Sequence, residues 1–431
     1  MSFLHTEEVK SEKYVGKEVK LRGWVYRIRK QKKMVFVVLR DVTGIIQTVI
    51  KKDVVSEKEF KDATDMLVES AVEIKGIVKE DKRAVGGYEI QVNNLNVIHF
   101  AEDFPITKDK SVEFLMDKRH LWVRSLKLVN VAKVRAEVFR AAREYLTDNG
   151  YFETTGPMIV GQKGEEGSQL FEVNYFGRTA YLTQTSQMYL EAMIFGLEKV
   201  FTLAPSFRAE KSKTRKHVTE FWHLEVEEAF CDFDCNIRTQ ENLISHIAQS
   251  VADNCQKELE FLEVDPERLR VVKPPFPRIT YSEAIEKLQQ QGLKIKWGED
   301  IRTEAEDILS RDLEKPLIIT HYPKAIKAFY MKENPDDPRT VLCNDMIAPE
   351  GYGEIIGASV RETDVNKIIE LLKRDGDDPA KYEWYLDLRR FGSVPHAGFG
   401  VGVDRMITWM LKLEHIRDSI PFPRTINRIS P

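Results

Sequence analysis

A period-two alternation of apolar and polar positions runs through the first hundred residues. Residues 18–29 (EVKLRGWVYRIR), 34–41 (MVFVVLRD) and 44–50 (GIIQTVI) read as strands, separated by the basic turn KQKK and by Val42-Thr43-Gly44. A helical segment, SEKEFKDATDML, comes next. Two further strands, SAVEIKGIVKE and YEIQVNNLNVIHF, part at Gly86-Gly87. Five strands with one helix between the third and fourth predict a small Greek-key barrel of the OB type.

The stretch AEDFPITKDKSVEF is polar, lacks a period and carries Pro105, so it reads as a linker. The expected organisation is a barrel domain over 1–103, a hinge over 104–122 and a second domain over 123–431. There the pattern changes. Val129, Ala132, Val138, Ala142, Tyr145 and Leu146 share one helical face, and Gly150 ends that helix. Strands and helices then alternate without a regular βαβ rhythm, which predicts an α+β domain on a mostly antiparallel sheet. FTLAPSFRA and TEFWHLEVEEAF flank a charged connection and predict an antiparallel hairpin with a long loop.

Composition narrows the function classes. Hydrophobic residues at 42% and charged residues at 31% exclude a disordered or collagen-like chain. No apolar stretch approaches the ~18 residues of a membrane helix. The start, MSFLHTEEVKSEK, lacks the apolar segment of a signal peptide, so a cytoplasmic protein without a membrane partner is expected. Sixty-five basic residues against 69 acidic ones give a net charge of −4, so any nucleic-acid surface must be a local patch. The turn Arg29-Lys30-Gln31-Lys32-Lys33 is such a patch. Four cysteines are too few for a disulfide scaffold, and Cys231 and Cys235 have no second Cys/His pair at zinc spacing.

Four segments carry candidate chemistry. In the hairpin, strand alternation puts Phe221, His223, Glu225 and Glu227 on one face and Trp222, Leu224 and Val226 on the other. With Arg208 and the basic loop EKSKTRKH, this face is equipped for a nucleoside triphosphate; a solvated hairpin with cross-strand Glu/Arg pairs is the plainer alternative. GFGVGVDR at 398–405 has Gly400 and Gly402 for close backbone approach and Arg405 at a helix start, and it is neither a Rossmann fingerprint nor a P-loop. In GYGEIIGASVR, Glu354 and Arg361 are an odd distance apart and converge only if a bulge intervenes. Asp345 supplies a second carboxylate upstream; such a pair suits Mg²⁺ beside phosphates, or is simply a pair of surface acids. In YLTQTSQMYLEAM, Gln184, Ser186 and Gln187 lead into an apolar helix, as caps or as ligands.

Together these segments resemble the class II aminoacyl-tRNA synthetases of the aspartyl/asparaginyl/lysyl group, over essentially the whole chain. GYFETTGPMI (150–159) is similar to the group's motif 1, which implies a homodimer with Pro157 at the interface. Residues 207–230 are similar to motif 2 and residues 398–405 to motif 3. The barrel resembles the group's anticodon-binding domain through Trp24, Phe36, Arg40 and Gln47. The resemblance implies ATP as substrate and Mg²⁺ as cofactor, with Arg208 on the α-phosphate, Arg405 on the γ-phosphate and Phe221 on adenine. It also implies nucleotide contacts from Glu210 and His217, and metal contacts from Glu354 and Asp345. Glu165, or its neighbour Glu166, is implied at the amino acid's α-amino group. In the barrel, Phe36 is implied against a middle anticodon uridine, with Arg29 and Gln47 nearby.

Within the group, YPKAIKAFYMK, GEIIGASVR and EHIRDSIPFPRT are closer to asparaginyl than to aspartyl members. Aspartyl members have a lysine three residues after the last Gln of a QSPQ-type stretch. Here the stretch is Gln184-Thr185-Ser186-Gln187, and Leu190 takes that place. A buried aspartate carboxylate would lose its partner there, whereas a neutral amide would not. Gln184 and Gln187 are then implied in the amino-acid site, with Arg361 donating to the amide oxygen and Glu225 accepting from the amide nitrogen. The expected reaction joins L-asparagine and ATP as an adenylate, then passes asparagine to tRNA-Asn. An aspartyl enzyme is the first rival, opposed by Leu190. A tRNA-independent asparagine synthetase is the second, opposed by the barrel.

Overall fold

A computed structural model describes residues 2–162, 170–211 and 214–431. The chain parts into two compact units, Met1–Leu115 and Met116–Pro431. The segment expected as a hinge holds two short helices, α2 (Val112–Asp117) and α3 (Arg119–Trp122).

The first unit is a closed five-stranded barrel. Its strands are β1 (Glu18–Lys30), β2 (Met34–Arg40), β3 (Ile45–Lys51), β4 (Ala71–Glu80) and β5 (Tyr88–His99), in the order β1-β2-β3-β5-β4. Helix α1 (Glu57–Asp65) sits between β3 and β4, started by a capping box between Ser56 and Glu59. Alternation decides which side chains fill the barrel. Val35, Val37 and Leu39 are buried in its core, so Phe36 between them stands on the outer face.

The second unit is α+β. Its helix α4 (Leu126–Asp148) buries Leu128, Val131, Val134, Val138, Ala141, Ala142 and Leu146. This face is rotated from the expected one, and Ala132 is exposed. The bulkier Leu128, Val131 and Val134 claim the core, because they gain more from leaving water than Ala132 does.

The remaining strands are β6 (Phe152–Glu153), β7 (Ile159–Val160), β8 (Glu172–Tyr175), β9 (Arg178–Leu182), β10 (Lys199–Phe207), β11 (Glu220–Ala229), β12 (Arg278–Thr280), β13 (Leu317–Thr320), β14 (Cys343–Ala348), β15 (Gly353–Val360) and β16 (His396–Gly402). Eight of them form one sheet in the order β12-β13-β14-β15-β16-β11-β10-β6, and β7, β9 and β8 form a small second sheet. In the large sheet the two edge pairings are parallel and all inner ones antiparallel. One face packs Leu224, Val226, Phe399, Val401 and Ile356 into a core with α4 and α6 (Phe233–Asn254). The other face is left for the site. Cys231 and Cys235 are joined by a disulfide just before and within α6, and Cys255 and Cys343 are free and buried. No helix among the described residues is long and apolar enough to cross a membrane.

Candidate active site

The floor of the site is a row running across four strands. Glu225 pairs with Gly400, Gly400 with Gly357, and Gly357 with Asp345. Two bare glycines therefore lie between two acids, which leaves room for a ligand on the sheet. A side chain at Gly400 would collide with His223, and one at Gly398 with the Glu227 carboxylate. The expected antiparallel hairpin forms, with Ser206 opposite Phe221 and Thr202 opposite Glu225. Phe221, His223, Glu225 and Glu227 all line the resulting cavity.

The bulge needed to bring Glu354 and Arg361 together is present. Between Met346 and Ile347, one step on β14 faces two on β15, from Ile356 back to Glu354. Glu354 and Arg361 consequently face the same cavity, with Gly357 between them. A Cβ at Gly357 would lie 3.4 Å from Glu354 Oε1 and 4.0 Å from Asp345 Oδ1, so the two carboxylates converge above this glycine.

One end of the cavity is dense with cations. Arg208 stacks 5.3 Å from the Phe221 ring centre. Arg405 enters from a helix, Val403–Met410, whose buried Asp404 accepts from the Trp222 amide at 2.8 Å and pairs with Arg135. That clamp fixes the helix start against β11. Arg405 Nη1 donates to the Glu354 carbonyl at 3.1 Å and lies 3.6 Å from its carboxylate. Desolvation raises the Glu354 carboxyl's pKa, but Arg405, Lys327, Arg208 and His223 outweigh it and hold it below its ordinary value. Glu210 and His217 also line this end, and burial with Arg405 nearby lowers the His217 pKa. Lys216 ties the same loop to the Gly351 carbonyl at 3.0 Å.

The other end is buried and interlocked. Arg361 forks onto Glu227, with Nε to Oε1 at 3.0 Å and Nη2 to Oε2 at 2.8 Å, and donates to Ser359 Oγ at 2.8 Å. Glu225 accepts from the Ser186 amide at 2.8 Å and from the Thr185 hydroxyl. Burial pushes the Glu225 carboxyl above its usual range, against those two hydrogen bonds and the charge of Arg361. Gln187 and Leu190 line the cavity from α5 (Gln187–Leu197), and Gln187 Nε2 donates to Glu191 at 3.0 Å. Glu191 is fully buried beneath them, held by Arg389, Tyr385 and His396.

Sixteen residues were expected in functional roles, and the structure treats them unequally. Arg208, Glu210, His217, Phe221, Gln187, Glu225, Asp345, Glu354, Arg361 and Arg405 are brought to one cavity. Gln184 is buried and does not line it, whereas its neighbour Thr185 does. Glu165 and Glu166 lie outside the described residues. Pro157 is exposed, as are the apolar side chains of Phe152 and Ile159 in the same segment. In the barrel, Arg29 pairs with Phe36 across β1 and β2, its guanidinium 4.5 Å from the ring centre. Gln47 pairs with Val38 on the neighbouring strand and donates to Glu89 at 3.1 Å.

The sequence reading missed Lys327, which donates to both Asp345 oxygens, at 3.0 and 2.8 Å. It also missed the Glu227 fork and the Glu191 network. Glu306 was missed too: burial and the charge of Glu354 raise its pKa to about 7.

A family model for class II tRNA synthetases (D, K and N) matches residues 111–426, and one for the OB-fold nucleic-acid-binding domain matches residues 19–98. The chain is 51% identical to an asparagine–tRNA ligase of Thermococcus gammatolerans over 96% of both proteins. The chain belongs to the asparaginyl-tRNA synthetase family. It is 46% identical to an asparagine–tRNA ligase of Thermoplasma acidophilum, over 99% of this chain and all of that one. Its structure resembles that of asparaginyl-tRNA synthetase from Pyrococcus horikoshii, solved with asparaginyl-adenylate, at a TM-score of 0.96 and 48% identity over the full length of both. Aspartyl-tRNA synthetase from Entamoeba histolytica shares the fold at a TM-score of 0.87 but only 26% identity. The class II catalytic fold and the OB barrel of the family thus account for both units.

Proposed function

We infer that this chain activates L-asparagine with ATP and transfers it to tRNA-Asn. The observation that carries this reading is the buried end of the cavity. Its guanidinium is forked by a carboxylate, its second acid is Glu225, held by Thr185 and Ser186, and Leu190 stands where a lysine would meet an aspartate side chain. Arg361 can still donate outward to an amide oxygen, and Glu225 can accept from an amide nitrogen. An aspartate carboxylate at the same place would face Glu225 with no added cation. Discrimination through such a polar contact reaches ~10⁴-fold, about 5.5 kcal/mol, without editing.

The asparagine α-carboxylate attacks the α-phosphorus of ATP in line, giving asparaginyl-adenylate and pyrophosphate. No protein nucleophile is required, so the chain's work is positioning and charge stabilisation. Arg208 binds the α-phosphate and stabilises the charge that develops there, Phe221 stacks on adenine, and Arg405 takes the γ-phosphate. Glu210 and His217 contact the nucleotide from the loop, and Gln187 helps bind the amino acid. Glu354 and, across Gly357, Asp345 offer the oxygen donors that suit Mg²⁺, so the donor set fits a hard cation. When bound, Mg²⁺ supplies charge neutralisation over the phosphates. The 3′ terminal hydroxyl of the tRNA then attacks the adenylate carbonyl, releasing AMP. The barrel stacks Phe36 on an anticodon base with Arg29 and Gln47 beside it. Homodimerisation through the Pro157 region and a cytoplasmic location complete the reading.

Charging of a tRNA-Asn transcript with labelled asparagine and, separately, labelled aspartate tests it. Asparagine alone is expected to become acid-precipitable; equal incorporation of aspartate would contradict the reading of Glu225 and Arg361.

A further inference from the structure

Asp345 and Glu354 converge above Gly357, yet each is already matched by a cation of the chain. Lys327 Nζ lies 3.0 and 2.8 Å from the two Asp345 oxygens, and Arg405 stands 3.6 Å from Glu354. The Lys327 side chain is only 16% exposed and Asp345 15%, so the contact is held in a partly dry site. The ammonium also packs 4.0 Å from the centre of the Tyr322 ring. Lys327 follows a 3₁₀ turn, Lys324–Ile326, and lines the same cavity as both acids.

A divalent ion needs several free oxygen lone pairs. Lys327 donates to both oxygens of Asp345, whereas Glu354 meets Arg405 only at 3.6 Å, which leaves Glu354 as the less committed donor. The charges point the same way: Lys327 and Arg405 offset the two acids, with Arg208 also acting on Glu354 and Glu306 on both, so the pair carries its own counter-charge before any metal arrives. An acid pair without a built-in counter-ion attracts Mg²⁺ by itself, whereas a neutralised one does so only when phosphate oxygens add negative charge and ligands.

We propose that Lys327 is a tethered counter-ion that keeps the Asp345–Glu354 pair closed to a divalent cation until the nucleotide brings phosphate oxygens into the cavity. This rests on the reading of those two acids as the metal site. Lys327 is then a positioning residue acting through Asp345: it makes metal binding conditional on nucleotide and prevents an empty enzyme from trapping a metal ion.

The test is Mn²⁺ binding to the full chain, followed by electron paramagnetic resonance without asparagine or tRNA, with and without a non-hydrolysable ATP analogue. The native protein is expected to bind Mn²⁺ weakly alone and one or more ions more tightly with the analogue than the analogue binds by itself. Lys327→Met is expected to bind Mn²⁺ without nucleotide at least ~10-fold tighter than the native protein. Lys327→Gln, which keeps a polar group at the site, gives the same gain should the Met variant not fold. Lys327→Arg restores the native pattern, and Lys327→Met combined with Asp345→Asn loses the gain. Unchanged Mn²⁺ affinity in both folded lysine variants overturns the role of Lys327, as does tight Mn²⁺ binding by the native protein alone. Absence of protein-dependent Mn²⁺ binding even with the analogue overturns the metal-site reading itself.

Discussion

Phe36 and Phe221 each stand beside an arginine, Arg29 at 4.5 Å and Arg208 at 5.3 Å, but in different surroundings. The barrel pair lies on an outer strand face, with an exposed arginine and a half-buried ring. Its neighbours Val35 and Val37 point inward, so the fold does not depend on what Phe36 carries. The cleft pair opens onto a floor of glycines and acids in which the charges are held by other charges. Glu227 holds Arg361, Thr185 and Ser186 hold Glu225, and Lys327 holds Asp345. An aromatic on an open face contributes one contact and can be lost alone. A charge in a dry cleft cannot be removed without stranding its partner.

That contrast can be broken in steps. The largest effect is expected from Arg361→Ala, which leaves Glu227 as a buried, unpaired carboxylate. ATP–pyrophosphate exchange should fall by at least ~10³-fold, and thermal or urea unfolding should register a loss of about 3–5 kcal/mol. Activity loss with unchanged stability would mean that the fork is not structurally needed. Arg208→Ala should reduce exchange by ~10²–10³-fold with no change in melting temperature, because Arg208 faces the open nucleotide end. Retained exchange would remove Arg208 from the phosphates.

Phe36→Ala should leave exchange untouched and raise the KM for tRNA by ~5- to 150-fold, the value of about 1–3 kcal/mol for one stacked base. An unfolded barrel in this variant would contradict its outer-face placement. The smallest effect is a pH dependence of specificity. Burial raises the Glu225 pKa, so its charge is present above that raised value and lost as pH falls through it. That loss of negative charge eases the entry of a second carboxylate. The ratio of exchange with asparagine to exchange with aspartate should therefore shrink as pH is lowered from 8 towards 5; a flat ratio would put the discrimination elsewhere.

The parts of the molecule that were legible in sequence are those governed by local periodicity. The five barrel strands and the hairpin follow alternation, and the faces of β11 were placed correctly because a strand's parity is fixed by its neighbours. The odd spacing of Glu354 and Arg361 set the condition that only a bulge could bring them together, and the bulge in β15 meets it. Helix α4 was read on a rotated face, since Val129 and Ala132 fit the period nearly as well as Val131 and Val134 do. The supporting charges were not legible for another reason. Glu227 and Arg361 are 134 positions apart, and Glu191 and His396 are 205 apart. Nothing local marks either partner as paired, so the clamps behind Arg361 and Gln187 emerge only when the strands are laid side by side. Lys327 lies within YPKAIKAFYMK, and nothing in that segment shows that Asp345 stands opposite it.

The account's central claim is that the buried end of the cleft accepts a neutral amide and refuses a carboxylate. ATP–pyrophosphate exchange without tRNA, run in parallel with asparagine and with aspartate, tests it most directly. The account predicts exchange with asparagine and aspartate-dependent exchange lower by ~10⁴-fold in kcat/KM. Comparable exchange with aspartate would contradict it, because a cation other than the lysine replaced by Leu190 would then have to serve the side-chain carboxylate.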